Sequence, residues 1–319
     1  MLYKENLENI IFHRHEIFQC DEIIVLSGYV GPKPTERLQT LPFRATVVYG
    51  MYGAEGIKTF LHRSLTELQD SIQDLNIFYS SLPVHSKCYV WRYKGKIVHA
   101  LVGSANFSRN GLTTPFREIL AETTFDTFEP LNSYIQHVLN NSISCLEANV
   151  TERKKLERRA HPEEVCLMTL LDPSTNETPG ISGLNWGQNP DNHTRPNDAY
   201  IPIRTAHIRN FPELFPPKQA YSTDPRGRPQ RHNDAIEIIW DDGTNMEGLL
   251  EGSQPVDGEI YPKNLSSFPV KSELGEYLRY RIGVPSGQPV RRHHLERYGR
   301  TDVAVSIIGE GLYRCDFSV

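Results

Sequence analysis

Residues 84–118 read V-H-S-K-C-Y-V-W-R-Y-K-G-K-I-V-H-A-L-V-G-S-A-N-F-S-R-N-G-L-T-T-P-F-R-E. Apolar and β-branched residues on either side of K-G-K predict two strands, at 84–93 and 97–102, joined by a tight turn. Polar residues cluster where an apolar sheet would ordinarily have none. The stretch therefore predicts a hairpin that carries chemistry.

Four polar side chains of this hairpin are spaced so that they can meet. Alternate residues of a strand share a face about 7 Å apart, so His85 and Lys87 point the same way. Ser104 and Asn106 are also two residues apart, at a strand end marked by Gly103, where backbone can approach a ligand closely. We expect the four side chains to converge on a small volume.

This set of side chains suits a phosphodiester. A neutral imidazole is a competent nucleophile near pH 7, because its ordinary pKa is about 6.5. A lysine supplies a positive charge to a non-bridging phosphate oxygen, while asparagine and serine add neutral hydrogen-bond donors. If the histidine attacks phosphorus and forms a covalent intermediate, the reaction needs no metal. We therefore predict neither a metal site nor a cofactor.

H-x-K followed by G-S-x-N resembles the signature of the phospholipase D superfamily, and G-S-A-N-F-S-R-N-G-L resembles its nuclease branch. The resemblance implies that His85 is the nucleophile that becomes phosphohistidine. It implies that Lys87 and Asn106 bind the phosphate and that Ser104 is the small hydroxyl residue of the pocket. It also implies a glutamate on the next strand that orients the histidine.

F-R-E-I-L-A-E offers two candidates for that glutamate. Glu118 and Glu122 have the same strand parity, so alternation does not choose between them. Glu118 lies nearer the strand start and fits the family spacing better. Arg92 stands where the longer family motif has an aspartate, and this departure weakens a lipase interpretation.

Composition bounds the class of protein. The chain has 319 residues, 38% of them hydrophobic, and a net charge of -5, so any nucleic-acid contact depends on local basic patches. No apolar run reaches the ~18 residues of a membrane span, and the N-terminus lacks a secretory signal. Five scattered cysteines without C-x-x-C spacing indicate reduced thiols. We expect a cytoplasmic protein without membrane contact.

The first half of the chain alternates apolar strands with helical spacing, which predicts an α/β layer like that of phospholipase D nucleases. The predicted strands are 21–30, 45–50 and 76–79, and the predicted helices are a segment ending near residue 20, 56–76 and 126–147.

A charged run at 151–159, followed by His161-Pro162, indicates a domain boundary. We predict a nuclease domain at 1–155 and a DNA-recognition domain at 156–319. Short β-rich segments at 199–204, 235–240 and 301–308 alternate with Gly-, Pro- and Asn-rich loops, as in a barrel or sandwich.

The second half carries side chains that read bases. Asn and Gln pair with adenine, Arg with guanine and Glu with the cytosine amino group. The candidates are Asn185, Trp186, Gln188, Asn189 and Arg195, then Asn245, Glu247 and Gln254. Two arginine clusters suit phosphates: Arg226, Arg228 and Arg231, and Arg291, Arg292, Arg297 and Arg300. The alternative, that these are only solvated polar loops, has equal support from spacing alone.

G-L-N-W-G-Q, the following N-D-A-Y-I-P-I and the order of the domains resemble the NgoFVII-type restriction endonucleases. The resemblance implies a C-terminal, mostly β pseudobarrel similar to the plant B-three DNA-binding domain. Two loops of that pseudobarrel, the N-arm and the C-arm, embrace the major groove. By order along the chain we expect them near 184–195 and 245–254.

The chain holds one H-x-K…G-S-x-N set, which is half of a site. We therefore predict a homodimer in which one His85 attacks and the other protonates the leaving oxygen. The predicted function is metal-independent, sequence-specific restriction of double-stranded DNA. The resemblance also allows a cognate DNA methyltransferase and a separate ATPase or helicase subunit as partners. The alternatives are a nuclease subunit that cuts only with that ATPase, an inactive DNA-binding relative and a phospholipase D-type lipid phosphodiesterase.

Overall fold

A computed structural model describes residues 1–150, 165–190, 194–227, 229–231 and 233–319. The chain folds as two compact units, Met1–Leu156 and Glu157–Val319. The charged run at 151–159, the His161-Pro162 pair and Arg228 lie outside the described residues. No helix within the described ranges is long and apolar enough to cross a membrane.

The first unit is a mixed sheet with helices packed on it. Its strands are β1 (Leu2–Tyr3), β2 (Glu22–Ser27), β3 (Arg44–Tyr49), β4 (Leu75–Ser80), β5 (Lys87–Tyr93), β6 (Lys96–Gly103), β7 (Leu120–Glu122) and β8 (Ser142–Ser144). Its helices are α1 (Leu7–His13), α2 (Pro32–Arg37), α3 (Tyr52–Glu55), α4 (Thr59–Ser71), α5 (Arg109–Thr113) and α6 (Phe128–Asn140). The predicted α/β architecture is confirmed.

The eight strands lie in the order β1-β7-β6-β5-β2-β3-β4-β8. β2, β3 and β4 are parallel, and β5 pairs antiparallel with β2. This arrangement puts the C-terminal end of β2 beside the N-terminal end of β5, because the register joins Leu26 to Cys88. The chain that follows β2 and the chain that precedes β5 therefore meet at one edge of the sheet.

All three predicted helices are shorter in the structure, and the one predicted at 56–76 is α4, Thr59–Ser71. α6 ends at Asn140 rather than near 147, because the following residues form β8 at the sheet edge, paired with β4. The side chains of Asn141 and Ser142 hydrogen-bond to the carbonyls of His137 and Val138 and end the helix. The opening helix is shorter too: α1 ends at His13, and a 3-10 turn follows.

The second unit is built on a seven-stranded, barrel-like sheet in the order β10-β17-β14-β13-β19-β18-β9. The strands of the whole unit, of which β11–β12 and β15–β16 form two separate pairs, are β9 (Cys166–Thr169), β10 (Ile201–Pro202), β11 (Ala220–Thr223), β12 (Pro229–Arg231), β13 (Asp234–Trp240), β14 (Asn245–Glu251), β15 (Gln254–Val256), β16 (Glu259–Tyr261), β17 (Asn264–Ser267), β18 (Asp302–Gly309) and β19 (Leu312–Asp316). Its helices are α7 (Thr205–Asn210), α8 (Ser272–Ile282) and α9 (Arg292–Tyr298). The predicted mostly β pseudobarrel is confirmed.

Candidate active site and nucleic-acid interface

The hairpin of β5 and β6 forms where the sequence predicted it. Lys94 and Gly95 at its tip have φ values of 51° and 75°, the left-handed conformation that a two-residue hairpin turn requires. Val84, Cys88 and Val90 lie in the apolar core beneath α6. Their alternation turns His85 and Lys87 to the opposite face of the sheet.

His85 and Lys87 contact each other on that face. The Lys87 ammonium donates a hydrogen bond to the His85 carbonyl oxygen at 2.7 Å, and its Nζ lies 3.1 Å from His85 Nδ1. Lys87 is 5% exposed, whereas the His85 side chain is open to solvent. The result is an accessible imidazole above a buried cation, which suits attack on an anionic group.

Asn106 reaches the same place from the other side. Its Oδ1 accepts a hydrogen bond from the Tyr29 backbone N–H at 3.3 Å and lies 3.4 Å from the Ser27 hydroxyl oxygen. A Cβ built on Gly28 would lie 3.1 Å from His85 Cδ2 and 3.5 Å from Asn106 Oδ1. The backbone of Gly28 thus lies close to both the imidazole and the carboxamide, and a side chain at this position would crowd them.

Ser27, Gly28 and Tyr29 were missed by sequence reasoning. Ser27 is the last residue of β2, and Gly28 and Tyr29 follow it, almost 60 residues before His85. They join the site through the pairing of β2 with β5. The signal available was a buried apolar strand that ends in Ser-Gly. A glycine directly after such a strand indicates a close backbone approach and not only the end of the strand.

Two glycines explain why the G-S-A-N-F-S-R-N-G segment folds onto the site. A Cβ on Gly103 would overlap the Ile119 carbonyl oxygen, and a Cβ on Gly111 would overlap the Asn106 carbonyl oxygen. Ser104 is exposed, and it is tied to Ile119 by a backbone hydrogen bond of 3.0 Å and by an N–H donated to its Oγ at 3.1 Å. Both glycines therefore allow packing that a side chain would prevent.

The structure separates the two glutamates. Glu122 lies in β7, where Tyr3, Arg14 and the N-terminal ammonium bind its carboxylate. The hydrogen bond from Tyr3, followed by the contacts with the ammonium and Arg14, lowers the pKa of Glu122 despite partial burial. Glu118 precedes β7, and its side chain is 16% exposed.

Glu118 lies within electrostatic reach of Tyr89, whose phenol is hydrogen-bonded to the residue before Asn106. Burial raises the pKa of the Tyr89 phenol, and the Glu118 carboxylate raises it further. That phenol donates a hydrogen bond to the Ala105 carbonyl at 2.8 Å, next to Asn106. Burial also raises the pKa of the Cys88 thiol to about 11, so this cysteine is a neutral thiol at pH 7 and no rival nucleophile.

Three of the predicted base-reading side chains are used inside the second unit instead. The Asn185 amide is 2% exposed, donates to the Pro179 and Val290 carbonyls and accepts from the Val290 N–H. Gln188 donates to the Pro196 and Gly287 carbonyls, and Gln254 to those of Ile203 and Pro262. The polar atoms of Asn185 are thus buried and hydrogen-bonded to backbone, an arrangement that disfavours its predicted base-reading role. Gln188 and Gln254 have both amide hydrogens committed to backbone.

The predicted C-arm loop at 245–254 is wrong, because 245–251 is the strand β14 between β13 and β17. Its residues alternate between half-buried and buried, which puts Asn245 and Glu247 on the outer face and Met246 in the core. Glu247 pairs across the ladder with Glu237. The Asn, Glu and Gly content had indicated a loop, but the period-two pattern prevailed.

The remaining candidates lie at or near the surface. Arg195 and Arg226 are exposed, and Trp186 and Asn189 are half-buried. The Trp186 ring packs edge-on against Tyr200 with ring centroids 5.8 Å apart. In the other arginine cluster Arg291 and Arg297 are exposed, whereas two members are held by carboxylates. Arg292 pairs with Glu296, and Arg300 pairs with Asp302 and Asp316.

Two family profiles match the chain. The NgoFVII restriction endonuclease N-terminal phospholipase D domain matches residues 5–152, and the NgoFVII C-terminal B3-like DNA-binding domain matches residues 158–309. The chain belongs to the NgoFVII restriction endonuclease family. It joins a phospholipase D-type nuclease domain to a DNA-binding domain.

Two solved structures show a weak similarity to part of this NgoFVII-family chain. NucT from Helicobacter pylori is 13% identical, covers 45% of this chain and 97% of its own, and has a TM-score of 0.35. Nuc from Salmonella typhimurium, a phospholipase D family member, is 12% identical, covers 43% and 87%, and has a TM-score of 0.31. No curated protein matches the chain. The family assignment therefore depends on the two profiles.

Arg92 is the position at which this NgoFVII-family member departs from the longer phospholipase D motif. It is 6% exposed, lies 3.7 Å from Glu22 across the β2–β5 ladder and donates to Asn132 at 2.6 Å. Burial lowers its pKa, and the Glu22 carboxylate opposes that shift. Arg92 therefore ties β5 to β2 and α6. Among the described residues, no group of three His, Cys, Asp or Glu side chains is placed to hold a metal ion.

Proposed function

We propose that the chain is a sequence-specific restriction endonuclease that hydrolyses double-stranded DNA through a phosphohistidine on His85, without a metal ion. The observation that carries the proposal is the convergence of three groups at the end of β2. His85 and Asn106 flank Gly28, and the Lys87 ammonium lies 3.1 Å from His85 Nδ1. These are a nucleophile and two donors for non-bridging phosphate oxygens.

The reaction takes two displacements at phosphorus. A His85 ring nitrogen attacks, an N–P bond forms and the bond to the leaving oxygen breaks. A proton from a general acid neutralises that oxygen. Water then attacks the phosphohistidine, gives up its proton to the same group and releases His85. Lys87 and Asn106 hold the non-bridging oxygens in both steps, and Glu118 orients the nucleophile.

The acid must come from outside this half-site. His85 occurs in the only H-x-K…G-S-x-N set of the sequence, and the nearby Lys87 is committed to the His85 carbonyl. We propose that a second copy of the chain brings its own His85 to the scissile bond, so that the dimer has one complete centre. A two-fold axis through that centre would exchange the nucleophile and the acid.

Recognition belongs to the second unit in this proposal. Arg195 and Arg226 extend exposed side chains, and a guanidinium can bind either a phosphate or a guanine edge. Trp186, Asn189, Asn245 and Glu247 remain candidates for direct contact with DNA, and Arg228 remains one from its sequence position. Asn185, Gln188 and Gln254 would instead hold the surrounding backbone in place.

The test is digestion of a sequenced plasmid by the purified chain in excess EDTA. Discrete fragments with common ends are expected for the wild type, and none for His85→Ala. A gel-shift assay should show that His85→Ala still binds the plasmid, since the second unit is unchanged. Cleavage that stops with EDTA and resumes with Mg²⁺ would contradict the mechanism, and random nicking would contradict site specificity. Cutting that requires ATP and a partner subunit would favour the partner-dependent alternative.

The covalent step and the dimer have separate tests. When the reaction with end-labelled DNA is quenched in alkali, the label should stay on the protein. When it is quenched in acid, the label should be released, as expected for a phosphoramidate. Mixing His85→Ala with an inactive Lys87→Ala variant should not restore cleavage, because each mixed dimer holds only one His85. Sedimentation should give about twice the monomer mass for the active species.

A further inference from the structure

Tyr29 contacts two of the proposed active-site residues through different parts of the same residue. Its backbone N–H donates to Asn106 Oδ1 at 3.3 Å. Its ring packs edge-to-face against the His85 imidazole, with centroids 5.9 Å apart and planes at 83°. Tyr29 therefore links the imidazole to the carboxamide through one residue.

The Tyr29 ring is held from its far end. The phenol donates to the Glu55 carboxylate, whose two oxygens both lie 3.0 Å from the Tyr29 oxygen. The side of the ring packs against Tyr49 with centroids 6.2 Å apart and planes at 81°. A tyrosine fixed at its backbone, its ring and its hydroxyl presents a wall of constant position to the imidazole.

The His85 imidazole needs such a wall. His85 is exposed and precedes the first residue of β5, so the ladder does not restrict its ring. The backbone of Gly28 also lies close to the ring, since a Cβ built on it would be 3.1 Å from His85 Cδ2. Nucleophilic attack requires the ring nitrogen to approach phosphorus along the axis of the leaving bond.

We propose that Tyr29 is a positioning residue that holds the His85 imidazole in the attacking orientation, with Glu55 as its tether. The inference rests on the proposed function, because it concerns the same nucleophile. It separates the two roles of Tyr29 by atom. The backbone N–H that hydrogen-bonds to Asn106 is present in any residue except proline, whereas the packing beside His85 comes from the tyrosine side chain alone.

This separation predicts a kinetic signature for Tyr29→Ala. Phosphate binding by Asn106 and Lys87 should persist, so KM for plasmid DNA should stay within about twofold. The imidazole should lose its preferred orientation, and kcat should fall about 10- to 100-fold, as for other misplaced catalytic groups. Tyr29→Phe keeps the ring and loses only the hydrogen bond to Glu55, so its kcat should lie much closer to wild type.

A matched control tests the opposite side of the same segment. Tyr134 hydrogen-bonds to Ser86, the residue after His85, at 2.8 Å, and it has no ring contact with the imidazole. Tyr134→Ala removes the same kind of side chain, and its kcat should remain near wild type. All three variants should melt within a few degrees of wild type, so that rates are compared on folded protein.

The outcomes distinguish this inference from the proposed function. Cleavage by wild type in EDTA, lost in His85→Ala, establishes the chemistry first. Given that result, a Tyr29→Ala kcat equal to wild type, or equal to that of Tyr134→Ala, overturns the positioning role alone. A rise in KM that accounts for the whole effect also overturns it. Loss of kcat in Tyr29→Ala with recovery in Tyr29→Phe supports it.

Discussion

Replacing Ser27 by alanine removes one buried hydroxyl from the point where β2 meets the Asn106 segment. The Ser27 side chain is 0% exposed. Its Oγ accepts a hydrogen bond from the Phe107 N–H at 2.9 Å and donates to the Tyr29 carbonyl at 2.6 Å. The substitution leaves that N–H and that carbonyl without this partner, and it removes a contact with Asn106.

The magnitude follows from the Phe107 N–H, because its hydrogen bond to Ser27 is buried whereas the bond from Ser27 to the Tyr29 carbonyl is only partly buried. A buried donor or acceptor left without a partner costs about 1–3 kcal/mol. We therefore expect Ser27→Ala to lower the free energy of unfolding by about 1–3 kcal/mol. Phe107 is next to Asn106, so relaxation of its N–H should also move the carboxamide. A shift of about 1 Å in such a group lowers kcat by up to about 100-fold.

The assay pairs urea unfolding with cleavage kinetics at saturating DNA. Ser267→Ala is the matched control, since Ser267 is also 0% exposed, donates to the Val270 carbonyl at 2.7 Å and accepts from the Leu274 N–H at 3.0 Å. It lies in the second unit, so it should lose similar stability and keep its kcat. Wild-type kcat in Ser27→Ala, or an equal fall in Ser267→Ala, would refute the link between Ser27 and Asn106.

Glu118→Gln should reduce cleavage with little change in stability, whereas Glu122→Gln should reduce stability. The pKa of Glu122 is lowered in the folded protein from its ordinary 4.5, so its contribution is present above pH 4.5 and is lost as the pH falls through the lowered value. Unfolding curves at pH 7 and pH 3 check this, and a stability difference that does not shrink in acid would contradict it. Gly111→Ala should cost about 1–3 kcal/mol and slow cleavage, because its Cβ overlaps the Asn106 carbonyl; an equal melting temperature would exclude the overlap. Arg195→Ala should relax or abolish site preference without changing the hydrolytic chemistry, and an unaltered fragment pattern would count against a base-reading role.

Local pattern was reliable wherever one period dominated. The alternation of Val84, Cys88 and Val90 required His85 and Lys87 to face away from the core, and the glycine that ends β6 marked the turn toward Asn106. These inferences need only the geometry of a strand. They hold because a strand with one buried face has a single acceptable register.

Composition was a poorer guide in the second unit. Asn185 resembled a base-reading amide but bridges backbone groups of 179 and 290. β14 resembled a loop because it contains Asn245, Gly248 and two glutamates, yet it is an inner strand. A polar side chain in a short segment can satisfy either DNA or the protein's own backbone, and the residue type is the same in both cases.

The residues alone were enough to predict the candidate nucleophile, its cationic neighbour and the α/β-then-β order of the chain, since each depends on neighbours a few positions away. The choice between Glu118 and Glu122, the surroundings of His85 and the inward turn of Asn185 depended on folding. Each of these is set by contact with residues tens of positions distant: Ser27, Gly28 and Tyr29 reach His85 because β2 pairs with β5, and Arg14 reaches Glu122 because its segment lies beside β6 and β7. Strand pairing brings such groups together, and no periodicity within a single segment encodes it.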